Sequence, residues 1–491
     1  MSTISTALSN ALSGLLVTSG QTAVVSRNIT NANNENYSRE TTSLTTTASG
    51  AASLSATQRA SDKKLLDTLL QSTSASSGQS ALLTAMTTLS STVGDVQNDG
   101  SVAWSIDQFQ QKLQAAAADP GNSTLATQAI SAAKTLASTL NNASDVTQGV
   151  RTDADAGIAK SVANVNDLLA QFQKLDNAIA GNSLDPDSKA AAQDSRDGIL
   201  KQISSEIGIQ TVTRPDNSIA IYTDGGVTLY DKSPRTLTFS ASNSMTAGTT
   251  GASVYADGVQ IIGPNSPMPS KSGNIAAYAQ IRDQVAPTYQ NQLDEIARAL
   301  VTNFSEQDQS ASPSQPDQTG LFSYSGSPAV PGSSLVSGLA SQISVNAAYD
   351  PSAGGNAKLL RDGGANGSAY VYNSANVSGF QGRLQSLIKS LGQPQSFSTA
   401  TQLSSSNTII GLATASAGWV EAGRSDADTK SSNAQATQTR SKAALLSSTG
   451  VNLDSEMSTM LNLEKSYQAA AKVLTVVNQI MSDLLQIPIT P

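Results

Sequence analysis

Residues 451–485 read VNLDSEMSTMLNLEKSYQAAAKVLTVVNQIMSDLL. In heptads, the first seam position holds Leu453, Met460, Tyr467, Leu474 and Met481. The fourth holds Glu456, Leu463, Ala470, Val477 and Leu484, so Glu456 alone breaks the apolar series. It lies in the first turn, where a carboxylate favours the positive end of a helix. Asn452 or Asp454 can cap that start, and Pro488 stops the helix soon after Leu485. A sustained 3.5-residue apolar period asks for a partner helix. The simpler alternative is packing within its own domain.

A second long pattern occupies residues 1–33. Ile4, Leu8, Ala11, Leu15, Thr18, Thr22, Val25, Ile29 and Ala32 recur by threes and fours, and Leu12 thickens the stripe. Arg27 is its only charge, and the other faces carry Ser, Thr, Asn, Gly and Ala. A solvated surface helix is laced with Glu and Lys. This one is built for contact on several sides and is a candidate partner for the C-terminal stretch.

The composition narrows the function. At 491 residues the chain exceeds one core, so two or more domains are expected. A net charge of −8 with no Lys/Arg cluster argues against nucleic acid. With no Cys and no His, disulfides, thiol redox chemistry, Cys/His zinc sites and His-dependent triads are excluded. There is no basic signal-peptide start and no 18-residue apolar run, so export without a cleaved signal peptide and no membrane insertion are expected. Ser-x-x-Lys recurs at Ser61, Ser131 and Ser386, as chance predicts in a Ser-rich chain, without companion motifs. The stretch Asp153-Ala154-Asp155 begins like a calcium loop but lacks its later ligands, which favours a solvated helix surface. No catalytic, cofactor-binding or metal-ligating residue is assigned.

Between the two ends, apolar residues every three or four predict helices over 81–93, 102–118, 123–150, 158–179 and 194–207. Asp185-Pro186-Asp187 reads as a turn that starts a helix. From Gly208 the period becomes two, with short strands over 209–212, 219–222, 227–230, 236–239, 254–255 and 260–262 and a hairpin at Asp257-Gly258. Helix returns over 274–308 with a kink at Pro287. Gly, Pro, Ser and Asn then dominate to about 379, with strands expected over 339–345 and 368–372, before helices at 380–391 and 400–448. The fold class is mainly α with an inserted β domain: paired N- and C-terminal coiled-coil helices, an antiparallel helical bundle, and a small β domain in mid-chain. The expected division is a terminal coiled coil (1–36 plus 450–491), a helical bundle (37–207, 273–308 and 373–449), a β domain (208–272), and a loop-rich excursion associated with it (309–372).

The N-terminal stripe ends in NITNANNENYSRE, residues 28–40. Asn breaks helices by competing for backbone hydrogen bonds. This segment resembles the N-I-A-N-A-N-T-P-G-Y-S-R turn of flagellar rod, hook and hook-associated proteins, through Asn28, Ile29, Asn31, Ala32, Asn33, Tyr37, Ser38 and Arg39. Asn34-Glu35-Asn36 replaces Thr-Pro-Gly, and Asn36 is expected to supply the left-handed conformation of the missing Gly. The terminal motifs indicate the axial superfamily. The contexts of Arg196-Asp197 and Arg282-Asp283, with Leu293-Asp294-Glu295, Gly450-Val451-Asn452-Leu453-Asp454 and Tyr467-Gln468-Ala469-Ala470-Ala471, are similar to the hook-filament junction family, hook-associated protein 1.

That resemblance implies a non-enzymatic structural adaptor joining flagellar hook to filament. Family members are exported unfolded through the flagellar secretion channel and self-assemble in a ring through their terminal helices. The implied partners are further copies of the chain, the hook protein, the second hook-filament junction protein, a cytoplasmic export chaperone at the C-terminal helix, and the flagellar export apparatus. The implied location is the extracellular hook-filament junction. The alternatives are another axial subunit (the second junction protein or a flagellin-like chain) or, more remotely, a secreted hydrolase variant. The expected assembly residues are Ile4, Leu8, Leu12, Leu15, Val25 and Ile29 with Leu453, Met460, Leu463, Tyr467, Ala470, Leu474, Val477, Met481 and Leu484. Asn28, Asn31, Asn33, Tyr37, Ser38 and Arg39 form the family turn. Small, Thr-containing seams make an isolated helix pair marginal, so both ends are expected to order on polymerisation.

Overall fold

The computed structural model describes residues 2–46, 51–93, 100–181, 184–242, 244–325 and 329–485. The side chains of residues 2, 3, 484 and 485 are outside the description, as is Pro488. Helix α1 (Ser2–Thr30) leads into the Asn-rich turn. Next come β1 (Glu40–Thr41), β2 (Leu44–Thr46), β3 (Ala52–Leu54) and β4 (Gln58–Arg59), with β2 paired to β3 and β1 to β4. The β2–β3 hairpin lies on α1. A Cβ on Gly20 would stand 2.5 Å from the tip of the Leu54 side chain, so glycine gives the hairpin its close approach without Leu54 having to shift.

The body begins with α2 (Lys63–Ser90), α3 (Val102–Ala118), α4 (Ser123–Ala180) and α5 (Pro186–Glu206). Asp185 caps α5 through the amides of Asp187 and Ser188, with Pro186 in the first turn, as the sequence suggests. The four-stranded antiparallel sheet β5 (Ile209–Thr213), β6 (Ile219–Thr223), β7 (Thr228–Asp231) and β8 (Ser233–Pro234) follows in sequence order. A three-stranded sheet has the order β11-β10-β9, made from β9 (Leu237–Thr238), β10 (Val254–Ala256) and β11 (Val259–Ile262). Asp257 and Gly258 both have positive φ (51° and 80°), which the tight β10–β11 turn requires.

Helices α6 (Asn274–Gln280) and α7 (Ala286–Asn303) flank a π-helical turn, Ile281–Val285. The irregularity precedes Pro287, which has no N–H to continue the ladder. The later segment holds β12 (Phe322–Ser323), β13 (Ser344–Val345), the single turn α8 (Leu359–Asp362), α9 (Gly382–Leu391), β14 (Gln395–Ser396) and β15 (Ser406–Asn407). Helix α10 (Ile409–Thr449) then runs back antiparallel to α2. Ser90 bonds Glu421, and Gln438 donates to Thr73 at 3.2 Å. Helix α11 (Leu453–Leu485) closes the chain against α1.

Two apolar cores share α4. One gathers the end of α2, α3, the first half of α4, α7, α9 and the start of α10 around Phe109, Phe304 and Phe322, whose ring centroids lie 5.2–5.6 Å apart. The other joins the second half of α4 to α5, α6 and strands β5–β11 around Phe172 and Tyr230.

Several expectations need correction. Residues 123–150 and 158–179 belong to one helix, α4, of 58 residues. Its polar centre is buried: Arg151 and Asp155 carry the stripe from one core to the other because both are fully paired. Asp155 meets Arg282 at 2.7 Å, and Arg151 donates to the carbonyls of Arg282, Thr246 and Thr249. Asp155 is therefore not on a solvated surface.

The described part of the 309–372 excursion packs into the helical body. Leu321, Phe322, Leu339, Ile343, Tyr349 and Leu360 all enter the first core. Residues 339–345 form a 3₁₀ turn followed by the short β13, and 368–370 form a second 3₁₀ turn, where longer strands were expected. Gly338 and Gly367 have positive φ and break the extended run before each turn.

Candidate functional site

The terminal helices run antiparallel along each other, and few apolar side chains are fully buried between them. On α1, Ala11, Val17, Thr18, Val24, Val25 and Asn28 are buried; Ile4, Leu8, Leu15 and Ile29 are half-buried; Leu12 is exposed. On α11, Val477 is the one buried apolar side chain among the described residues, while Met460, Leu463, Ala470 and Leu474 are half-buried. Leu453, Tyr467 and Met481 are exposed. The fourth heptad position thus faces α1 more squarely than the first. The side chain of Leu484 lies outside the described residues.

Heptad reading passed over Val17 and Val24, which form a second row beside Thr18 and Val25. Their seven-residue spacing was the available signal. Tyr467 is 50% exposed, so its phenol is wet. The seam threonines satisfy themselves: Thr18 donates to the Gly14 carbonyl and Thr22 to that of Thr18, both at 2.8 Å.

Apolar surface remains uncovered beyond the seam. Leu453, Met457 and Leu461 make one exposed row on α11, and Val473, Val476 and Ile480 another. Leu12 and Leu16 extend the exposure on α1. Rows at i, i+3/i+4 and i+7/i+8 are continuous on a helix. Such surface marks a site of association rather than the outside of a free-standing pair.

The other end of the pair is a polar joint. Glu456, the residue that broke the apolar series, is 1% exposed. It accepts from Asn28 Nδ2 at 3.1 Å and from Arg39 Nε at 2.6 Å. The Asn28 amide is fully used. Its Nδ2 also donates to the Glu40 carbonyl at 2.9 Å, while Oδ1 accepts from Tyr37 Oη at 2.8 Å and Glu40 N at 3.0 Å. Helix start is capped separately, by Asn452 accepting from Ser455 N. The acidic first-turn position therefore does more than favour the helix dipole; it joins the two ends of the chain.

The joint is tied to the body. Arg39 N donates to the Thr449 carbonyl at 2.7 Å, and Ser38 N donates to Asp194 at 3.1 Å. Arg59 bridges Asp194 and Asp197, and Arg27 pairs with Glu40 and Asp187. Burial pushes the Glu40 and Asp194 carboxyls up, against the opposing pull of Arg27 and Arg59. Burial, then the Glu40 charge, raises the Tyr37 phenol and keeps it a donor.

Within the family turn, Asn31 donates to the Arg27 carbonyl and Asn33 is exposed. Asn36 does not have positive φ. The turn closes instead through Tyr37 N to the Asn34 carbonyl and Asn36 N to Asn34 Oδ1, so the left-handed residue that Gly would provide is not needed. Lys201 donates to Asn36, and Lys442 pairs with Glu35.

No group of three or more His, Cys, Asp or Glu able to hold a metal occurs among the described residues, and none of their helices is long and apolar enough to cross a membrane. The arrangement can hold helices together; its polar groups are spent on one another.

The two ends return to each other as long helices, with a body carried between them. Residues 443–487 match the model of the flagellar basal body rod FlgEFG protein C-terminal family. Residues 86–320 match the model of the flagellar hook-associated protein FlgK helical domain. Among solved structures, the flagellar hook junction protein FlgK from Burkholderia pseudomallei has a similar fold, with a TM-score of 0.56 and 15% identity over 77% of this chain and 99% of that one. No curated protein matches the chain.

Proposed function

We propose that this chain is a structural adaptor subunit that joins flagellar hook to filament by self-assembly through α1 and α11. The observation that carries the reading is the pair of long terminal helices whose apolar rows continue past their mutual seam, in a chain matched by the FlgK helical-domain model. Uncovered rows on both helices supply area for neighbouring copies in a ring. The assembly residues are those of the seam together with the exposed Leu12, Leu453, Tyr467 and Met481.

Hook protein below and the second hook-filament junction protein above are the fitting neighbours. The exposed face of α11 suits a cytoplasmic export chaperone before assembly, ahead of the flagellar export apparatus. The site of action is the extracellular junction. The role is mechanical and needs no cofactor or catalytic group.

Deleting the gene and imaging the cells by electron microscopy tests the role. Hooks bare of filaments, with flagellin shed into the medium, are expected. Normal filaments reject the reading.

A further inference from the structure

The two ends of the helix pair differ in kind. Away from the body, contact is made by half-buried Leu8, Leu15, Leu463 and Leu474 together with the buried Ala11 and Val477, and apolar side chains tolerate sliding and partial exposure. At the body, the most buried side chain of α11 is a carboxylate, and its partners Asn28 and Arg39 both come from the N-terminal segment. A buried polar group is satisfied in one arrangement only, because losing a partner strands a desolvated charge. A single polar position in an apolar seam fixes register for that reason.

We propose that Asn28 and Glu456 form a latch that fixes the start of α11 on the end of α1 in the free subunit, so that the terminal pair orders outward from the body. The latch has three features on which this rests. Asn28 has all four of its amide hydrogen-bonding positions occupied, so its side chain cannot flip without loss. Arg39 is held from behind by its own backbone, through its N–H to Thr449 and its carbonyl to Ala60 N. The linker between α10 and α11 is only Gly450, Val451 and Asn452, so Glu456 arrives already close to the joint. The exposed rows begin beyond or beside this point and need other chains to cover them.

The inference deepens the assembly reading by dividing the terminal pair into a preformed segment near residues 453–464 and a segment near 465–483 that is completed on assembly. It concerns the free subunit and can fail while the junction role stands.

Hydrogen exchange on the purified full-length monomer tests it. Wild-type amides at 457–464 are expected to be at least tenfold more protected than those at 474–483. Glu456→Gln and Asn28→Ala are each expected to remove at least tenfold of the protection at 457–464 while leaving 129–143 of α4 unchanged, and the double variant should lose little more than either alone. Equal protection along all of α11, or single variants with unaltered exchange at 457–464, overturns the latch. Should Glu456→Gln also loosen α4, the partly exposed Arg39→Gln, read at the same amides, decides: lost protection supports the latch and retained protection rejects it. Bare hooks in the deletion strain beside uniform exchange would remove the latch alone; intact filaments beside graded exchange would remove the junction role alone.

Discussion

The helical body and the terminal pair are built from the same small-residue vocabulary, yet they bury it differently. Phe109, Phe304 and Phe322 are completely buried in the body and stacked edge to face, with the long α4 passing through both cores. Across the terminal pair, Val17, Val24, Val25 and Val477 are the largest buried apolar side chains described, and leucines stand half-exposed. The contrast is between a body closed by its own aromatic core and a terminal pair that leaves apolar rows exposed.

The largest expected effect lies in the body. Phe304→Ala removes one face of the aromatic cluster and should cost about 3–5 kcal/mol in denaturant unfolding. A change below about 1 kcal/mol would mean that the cluster is not the body's centre. Next is the buried Asp294, which accepts from the amides of Gly338 and Ala340 and from Gln290. Burial outweighs those bonds and raises its pKa from 3.8 to about 6. A raised folded pKa means that this group's contribution is full below about pH 4 and is lost as pH rises through about 6. Asp294→Asn should therefore flatten the difference in stability between pH 7 and pH 5, by about 1.3 kcal/mol. An unchanged pH profile relative to wild type would contradict the assignment.

Smaller still is the effect expected on the free subunit from its exposed rows. Leu461→Ser and Val476→Ser should change unfolding free energy by no more than about 0.5 kcal/mol, since both side chains are already in water. The same variants should weaken junction formation, scored as filament number per cell. Stability loss of 2 kcal/mol or more would show that these rows pack within the subunit.

Much of this division was legible in the sequence. The heptads of α11 and the uncharged stripe of α1 gave away the pairing, because periodicity records which face is covered. Glu456 was harder to read. A lone acid in a first turn has a sufficient local explanation, and its partners Asn28 and Arg39 lie 428 and 417 positions away. The unity of α4 was hidden for the same reason, since Arg151 and Asp155 look like a solvated break until Arg282 is placed beside them. Residues 309–372 were unreadable in detail: irregular chain shows no period, and it is the burial of scattered side chains such as Phe322 and Tyr349 that reveals which core it joins. The hydrophobic pattern carries near-neighbour geometry; paired buried charges are a property of the fold.

The central claim is that α1 and α11 serve assembly and not the stability of the body. The most direct test introduces Leu463→Glu or Leu474→Glu at half-buried seam positions and follows two readouts together. The account predicts that the purified variant keeps the wild-type helical content and unfolding midpoint of the body, while cells carrying it show hooks without filaments. Loss of secondary structure across the whole protein, or filaments in normal number, would contradict it.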